Sequence, residues 1–377
     1  MFFNQLIHQP PGLVQLRQMA AADRLPHANL LLAPPGSGGL AAAMALTTYL
    51  LCENRSPEDA CGTCRACRKT AKYVHPDWHF SFPTVGSKMV SDNFLTPWRQ
   101  ALTDTPYHEL NDWLQRIGAE NKQGNINKDE CANIMRKLNL KTFESNYKVM
   151  LIWLPELLGN EGNRLLKMIE EPPEGTIFFL VAERAELILN TILSRCQLTK
   201  FTTPGVDEVS KALQARGIDE ERAEAAARLA DGNVNNALKI GTDHDGTEGT
   251  NFINWMRACH GGSPTKLVEW TNEFAKLGRE NQKTFLHYAL HFWREFLLLS
   301  VQNGDDTGVR LLPKELATAK KMLPLIGLDQ LADLTRVIDE CIEHVGRNAH
   351  PKILFLDAGL RIHQILRPQR AVKTGAA

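Results

Sequence analysis

The sequence predicts an α/β protein: a parallel-sheet domain carrying a four-cysteine insert, then a small helical unit, then a longer all-helical region. Three observations predict it. Short continuous apolar runs at 27–32, 149–154 and 177–182 alternate with helical stretches in the first two hundred residues. Runs of that length, bounded by turn residues, suit strands of a sheet covered on both faces. Four of the eight cysteines crowd into sixteen positions. Beyond about Gly205 no strand candidate appears, while helical periodicity continues to Leu366.

At 377 residues, a prior of roughly one domain per 150 residues gives two or three domains. Forty-three basic residues balance forty-three acidic ones, so no global field draws the chain to nucleic acid or membrane; any such partner is met by a local patch. An apolar fraction of 43% with 23% charged residues excludes a disordered chain. Met1-Phe2-Phe3-Asn4-Gln5-Leu6 has no basic n-region and no small-residue cleavage site, so a secretory signal is not expected. The long uncharged stretch 29–52 is cut by Pro34-Pro35-Gly36-Ser37-Gly38-Gly39, and its helical half is too short to span a bilayer. A soluble, cytoplasmic protein with no membrane partner is expected.

In chain order, the first domain is expected over 1–203. It opens with strand 27–32, the glycine loop and an Ala-rich helix over 40–51. The cysteine module follows at about 52–79, with Cys52, Cys61, Cys64 and Cys67 spaced C-x8-C-x2-C-x2-C. Thiolates are soft ligands that suit tetrahedral zinc, and four of them leave no open position for water, so a structural zinc ion is expected. His75 and His79 could replace one thiolate, but His75-Pro76-Asp77 reads better as a turn. Cys131, Cys196, Cys259 and Cys341 are scattered and read as small core residues. An insertion at about 84–125, with Trp98, Tyr107 and Trp113 set among polar residues, reads as weakly patterned and partly mobile. Strand 149–154, a helix over 160–171 stopped by Pro172-Pro173, and strand 177–182 complete the domain. A small helical unit is expected over 204–242. The stretch 241–250 is the most linker-like in the chain. A helical domain is expected over 250–367, with Phe285, Ala289, Phe292 and Phe296 forming a core stripe, and a frayed tail over 368–377.

A phosphate-binding loop needs G-x-x-x-x-G-K-[ST], whose amides cradle phosphates while the Lys neutralises them and the hydroxyl binds magnesium. In register, this chain has Ala33-Pro34-Pro35-Gly36-Ser37-Gly38-Gly39-Leu40. Gly39 stands at the Lys position and Leu40 at the hydroxyl position. The next core strand ends Trp153-Leu154-Pro155, with Glu156 displaced from where a metal carboxylate belongs. Electrostatic stabilisation dominates phosphoryl transfer. The loop of Gly36, Gly38 and Gly39 is therefore read as a degenerate site, with ATP not expected to bind productively.

Several stretches together resemble the delta-prime subunits of the bacterial DNA polymerase III clamp loader, within the AAA+ class. They are Leu25-Pro26-His27-Ala28, the cysteine insert ending in His75-Pro76-Asp77, 163–173 (NRLLKMIEEPP), Thr191-Ile192-Leu193-Ser194-Arg195-Cys196-Gln197, and Asn348-Ala349-His350-Pro351-Lys352. The resemblance implies an AAA+ parallel-sheet domain with a zinc insert, a helical lid domain and an all-α collar domain. It implies that Arg195, of the Ser-Arg-Cys triplet, acts in trans as an arginine finger on a neighbour's ATP, a task suited to an always-charged, bidentate guanidinium. In the ATP-hydrolysing gamma/tau relatives a sensor Arg stands in the motif G-S-x-R-x-A-L; here Asn235 stands at that position. The implied role is a non-hydrolysing stator with gamma/tau and delta subunits as partners, in an assembly that loads the beta sliding clamp onto primed DNA. Nothing transfers onto the divergent 85–123 stretch, and Asn190 replaces the Pro common before Thr191. Two other readings stay open on the residues: an active AAA+ ATPase with divergent motifs, and a zinc-knuckle nucleic-acid binder using Arg65, Arg68, Lys69, Lys72 and Tyr73.

Overall fold

The computed structural model describes residues 1–120, 122–242, 247–347 and 349–367, with the side chains of 247, 248, 279 and 280 outside that description. Asn121, Asn348, the middle of the expected linker and the 368–377 tail, on which sequence expectations fell, lie outside the described residues. The chain divides into two units, Met1–Thr242 and Asp243–Ala377.

In the first unit, α1 (Pro11–Ala21) begins on a proline, whose missing N–H has no helical partner to lose. Then come β1 (Ala28–Leu32), the glycine loop and α2 (Gly39–Leu51), every residue of which is buried. The cysteine knuckle leads into α3 (Arg65–Thr70) and β2 (Trp78–Ser81). The insertion supplies α4 (Leu95–Asp104) and α5 (Leu110–Arg116). After α6 (Lys128–Leu138) the chain enters β3 (Lys148–Trp153). A 3-10 stretch, Pro155–Leu165, precedes α7 (Leu166–Glu170) and β4 (Thr176–Ala182). The short α8 (Asn190–Leu193) precedes β5 (Gln197–Lys200).

The five strands form one parallel sheet in the order β2-β3-β4-β1-β5. Apolar clusters cover both faces. One joins Leu31, Leu46, Phe179 and the insertion's Trp98 and Trp113; the other joins Leu30, Ile134, Met150 and Phe178. Burial on both sides is why β1, β3 and β4 are dominated by apolar residues, with Asn29 the polar exception inside β1. The edge strands carry no such run: β5 reads Gln-Leu-Thr-Lys and is largely exposed.

Two expectations need correction. The helix expected over 160–171 is of mixed type: 160–165 is 3-10 helix, following Gly159 at φ 50°, ψ −139°, outside the helical region, and regular α-helix begins only at Leu166. The insertion is folded into the core: Trp98 and Trp113 are fully buried, Trp98 stacks on Phe82 at 4.2 Å, and the Trp113 indole donates to the Pro83 carbonyl at 2.7 Å. A few large aromatic anchors do the work that a periodic apolar pattern does elsewhere, which is why the pattern looked weak.

Three helices end the first unit: α9 (Val206–Gln214), α10 (Glu220–Ala230) and α11 (Val234–Thr242). Asp231 and Gly232, at φ 46° and 83°, turn the chain between the last two.

The second unit is helical throughout its described residues: α12 (Thr247–His260), α13 (Pro264–Phe274), α14 (Arg279–Val301), α15 (Pro313–Met322), α16 (Leu328–Gly346) and α17 (Pro351–Leu366). Both ends of the stretch expected as linker, 241–242 and 247–250, are helical. Phe285, Ala289, Phe292 and Phe296 are each buried and share one core with Phe252, Trp255 and Phe355. Among the described residues no helix is long and apolar enough to cross a membrane.

Candidate functional site

The knuckle brings Cys52, Cys61, Cys64 and Cys67 together, with all four Sγ atoms within 4.8 Å of one another. The Cys52–Cys64 and Cys61–Cys67 sulfurs are each 4.0 Å apart. Zinc–sulfur bonds of about 2.3 Å at tetrahedral angles would set sulfurs about 3.8 Å apart, so the donor set fits a metal ion such as zinc. Local backbone builds the nest. Cys52 ends α2 and Cys64 caps α3, while Gly62, at φ 74°, makes the turn between Cys61 and Cys64. Amides aim at sulfur: Cys61 N donates to Cys52 at 3.3 Å, Cys64 N to Cys61 at 3.4 Å, and Cys67 N to Cys64 at 3.3 Å. The amides of Cys64 and Thr63 draw the Cys61 thiol down to about 6, whereas burial pushes the Cys52 and Cys67 thiols up. His75 stays out of the cluster, buried in a turn where its Nδ1 accepts from the Asp77 amide at 3.2 Å. Tyr73 is no stacking platform either; it is buried, and its hydroxyl donates to the Leu102 carbonyl at 3.3 Å. Of the scattered cysteines, Cys131, Cys259 and Cys341 are buried and Cys196 is half-buried.

The glycine loop keeps the backbone of a phosphate cradle but is filled by the chain's own side chains. Gly36 and Gly38 lie at φ 65° and 107°. A Cβ on Gly36 would stand 2.0 Å from Asn233 Oδ1, and one on Gly38 would stand 2.8 Å from the Tyr107 ring. A Cβ on Gly39, where the Lys of an active loop stands, would meet Ala33 Cβ at 2.5 Å. The Tyr107 hydroxyl accepts from the Ile7 amide at 3.0 Å. About 20 Å³ of space remains, lined by Tyr107, His108, Trp153 and Glu183 among others. Burial, with Glu156 and Glu109 nearby, raises the Glu183 carboxyl to about 8. Glu156 is itself buried, its Oε1 accepting from the Glu183 amide at 3.0 Å. An active loop sets a lysine against phosphate; this pocket presents a carboxyl.

The same side chains tie the insertion to the three-helix unit. The Asn233 amide donates to Glu109 at 2.6 Å, and Asn235, at the sensor position, donates to Asp112 at 2.7 Å. Lys239 pairs with Asp112 at 2.6 Å. Burial alone would raise the Asp112 carboxyl, but Lys239 and the Glu109 amide outweigh it and hold the carboxyl below its usual value. Val234 N donates to the Gly36 carbonyl at 2.9 Å, so a helix start caps the loop directly. Sequence reasoning missed Tyr107, Glu109 and Asn233, because no short-range pattern links positions so far apart.

Arg195 follows α8 and leads into β5 at an edge of the sheet. Its Nε donates to Glu170 Oε2 at 3.0 Å and its NH1 to the Thr191 carbonyl at 3.0 Å, leaving the side chain 34% exposed. An exposed pair of this kind contributes only about 0–1 kcal/mol, so a stronger anion can displace Glu170.

A family model described as DNA polymerase III, delta subunit, matches residues 8–205, just over half of the chain. The chain belongs to the delta-prime family of DNA polymerase III. It is 26% identical to DNA polymerase III subunit delta' of Escherichia coli (strain K12) over 95% of each chain. Against DNA polymerase III subunit tau of Bacillus subtilis (strain 168), identity is 23% over 96% of this chain and 61% of that one. Among solved structures, a gamma subunit-related protein from Thermotoga maritima aligns over 94% of this chain and 100% of its own at 13% identity, with a TM-score of 0.46, a loose likeness. Within the delta-prime family this chain holds two contrasting sites: a thiolate nest open to a metal ion and a phosphate loop closed on itself.

Proposed function

We propose that this delta-prime chain is a non-hydrolysing subunit of the clamp loader, an AAA+ stator that supplies Arg195 in trans to the ATP site of a neighbouring gamma/tau subunit. The observation that carries the reading is a glycine loop crowded by Asn233 and Tyr107 in a chain that also presents Arg195 at its surface, bonded to the exposed Glu170 carboxylate and the Thr191 carbonyl. On meeting the neighbour's triphosphate, Arg195 exchanges Glu170 for phosphate oxygens, which it can grip in bidentate fashion as negative charge builds in the transition state. The 204–242 helices act as a lid fastened to the loop. The second unit acts as the collar that joins the other subunits, delta among them, and the assembly sets the beta sliding clamp on primed DNA. Four thiolates complete the shell of a structural zinc ion, with no position left for chemistry.

The test is Arg195→Ala in the reconstituted assembly. Complex formation is expected to survive, and DNA-stimulated ATP hydrolysis at the site it serves to fall on the order of 10³-fold, the scale of arginine fingers in other nucleotidases. Unchanged turnover and clamp loading would refute the role.

A further inference from the structure

We propose that the loop over 139–147, between α6 and β3, is a docking element that seats Phe143 in an apolar, carboxylate-rimmed pocket of a protein partner. Phe143 is 81% exposed and Leu140 62% exposed, and Phe143 is the most exposed large apolar side chain among the described residues. A lone exposed apolar residue needs no explanation. The way this one is held does.

Two buried charges are spent on the loop. The Asp77 carboxylate, 2% exposed, accepts from the amides of Phe143 at 2.5 Å, Glu144 at 2.9 Å and Ser145 at 3.0 Å. The Lys148 ammonium, 3% exposed, donates to the carbonyls of Leu138, at 3.0 Å, and Leu140. Burying a charge is costly unless it is fully bonded, and both of these act on the backbone that carries Leu140 and Phe143. The result is an aromatic knob already ordered before it meets anything, which reduces the entropy lost on association.

The surroundings give the partner's chemistry. Glu144, next to the knob, pairs with Lys69 and lies 3.9 Å from Arg65, so Phe143 adjoins the basic face of the cysteine module, where Arg65, Arg68 and Lys72 are exposed. Lys141 adds a further exposed cation within the loop. Cations around an apolar anchor match carboxylates around an apolar pocket. Single-stranded nucleic acid fits less well: it favours successive stacking aromatics, whereas Tyr73 is buried and Glu144 sets a carboxylate beside the one ring available. The knob also lies toward the β2 edge of the sheet, away from Arg195 at the β5 edge, so it serves a different partner from the subunit that takes Arg195.

The inference rests on the proposed function only for its choice of probes. The full chain, zinc-loaded, is titrated with purified delta subunit and with purified sliding clamp. Phe143→Ala is expected to weaken binding to one of them about thirtyfold, the scale of an interface hot spot. Leu140→Ala weakens the same pair less, with melting temperature and zinc content unchanged in both variants. The proposal is overturned if neither protein binds the unaltered chain, if both bind Phe143→Ala as tightly as the unaltered chain, or if the loss falls on a single-stranded oligonucleotide instead. Because Arg195→Ala is read out by ATP turnover, the finger and the knob can fail independently.

Discussion

The cysteine knuckle and the glycine loop are both short, turn-rich segments whose backbone amides converge on a point. In the knuckle amides aim at three of the four sulfurs, and the spacing of the four fits one metal ion. In the loop, two glycines keep the cradle's backbone, but Asn233 and Tyr107 occupy it and no cation faces the centre. The difference teaches that converging backbone amides can frame a ligand set in one place and be filled by the chain's own side chains in another. A cradle without its lysine is a cavity to be filled; a nest that keeps every thiolate is still a site.

The largest way to break the comparison is to remove two thiolates from the first site. Cys61→Ser with Cys64→Ser is expected to abolish binding of one zinc per chain, measured by atomic absorption. It should destabilise the first unit by on the order of 4 kcal/mol, the range typical of a lost structural metal. If zinc content were unchanged, the four-thiolate assignment would be wrong.

A smaller effect comes from trying to rebuild the second site. Gly39→Lys restores the missing cation in sequence only, since its Cβ must enter space held by Ala33. Overpacking of that kind costs about 1–3 kcal/mol. Calorimetry should detect no magnesium–ATP binding by this variant, and binding at micromolar concentrations would show that occupation by Asn233 and Tyr107 is easily displaced.

The smallest effect tracks pH. Glu183 titrates near 8 in the folded chain, well above an unfolded carboxyl near 4.3. A raised folded value means that the folded chain holds the proton more tightly. The stabilisation is therefore complete below about pH 4 and is lost as pH climbs through 8. Glu183→Gln should raise the melting temperature by a few degrees at pH 9 and leave it unchanged at pH 4. A gain of equal size at both values would place the effect in packing, not in charge.

How much of this was legible in the sequence follows from where each signal resides. The strands β1, β3 and β4 were visible because burial on both faces favours apolar runs, while the edge strands hid, β2 as a short Trp-His-Phe-Ser segment and β5 as a largely exposed one. The four cysteines were legible because their spacing is local. The loss of the phosphate-loop lysine could be read from one residue, Gly39. What crowds the loop could not, because Tyr107 and Asn233 arrive from an insertion and a distant turn, and single-sequence patterns carry no pairing between them. Trp98 and Trp113 misled for a related reason: set among polar residues, they gave no period, yet each is fully buried.

The hydrogen bond from Val234 to Gly36 has a consequence of its own. A loop that binds a ligand is stabilised only while the ligand is present, so its stability varies with occupancy. Here the bond at Gly36 is made by the chain itself. With that bond already made within the chain, its melting temperature should not shift when magnesium–ATP is added, a scan that checks the point directly.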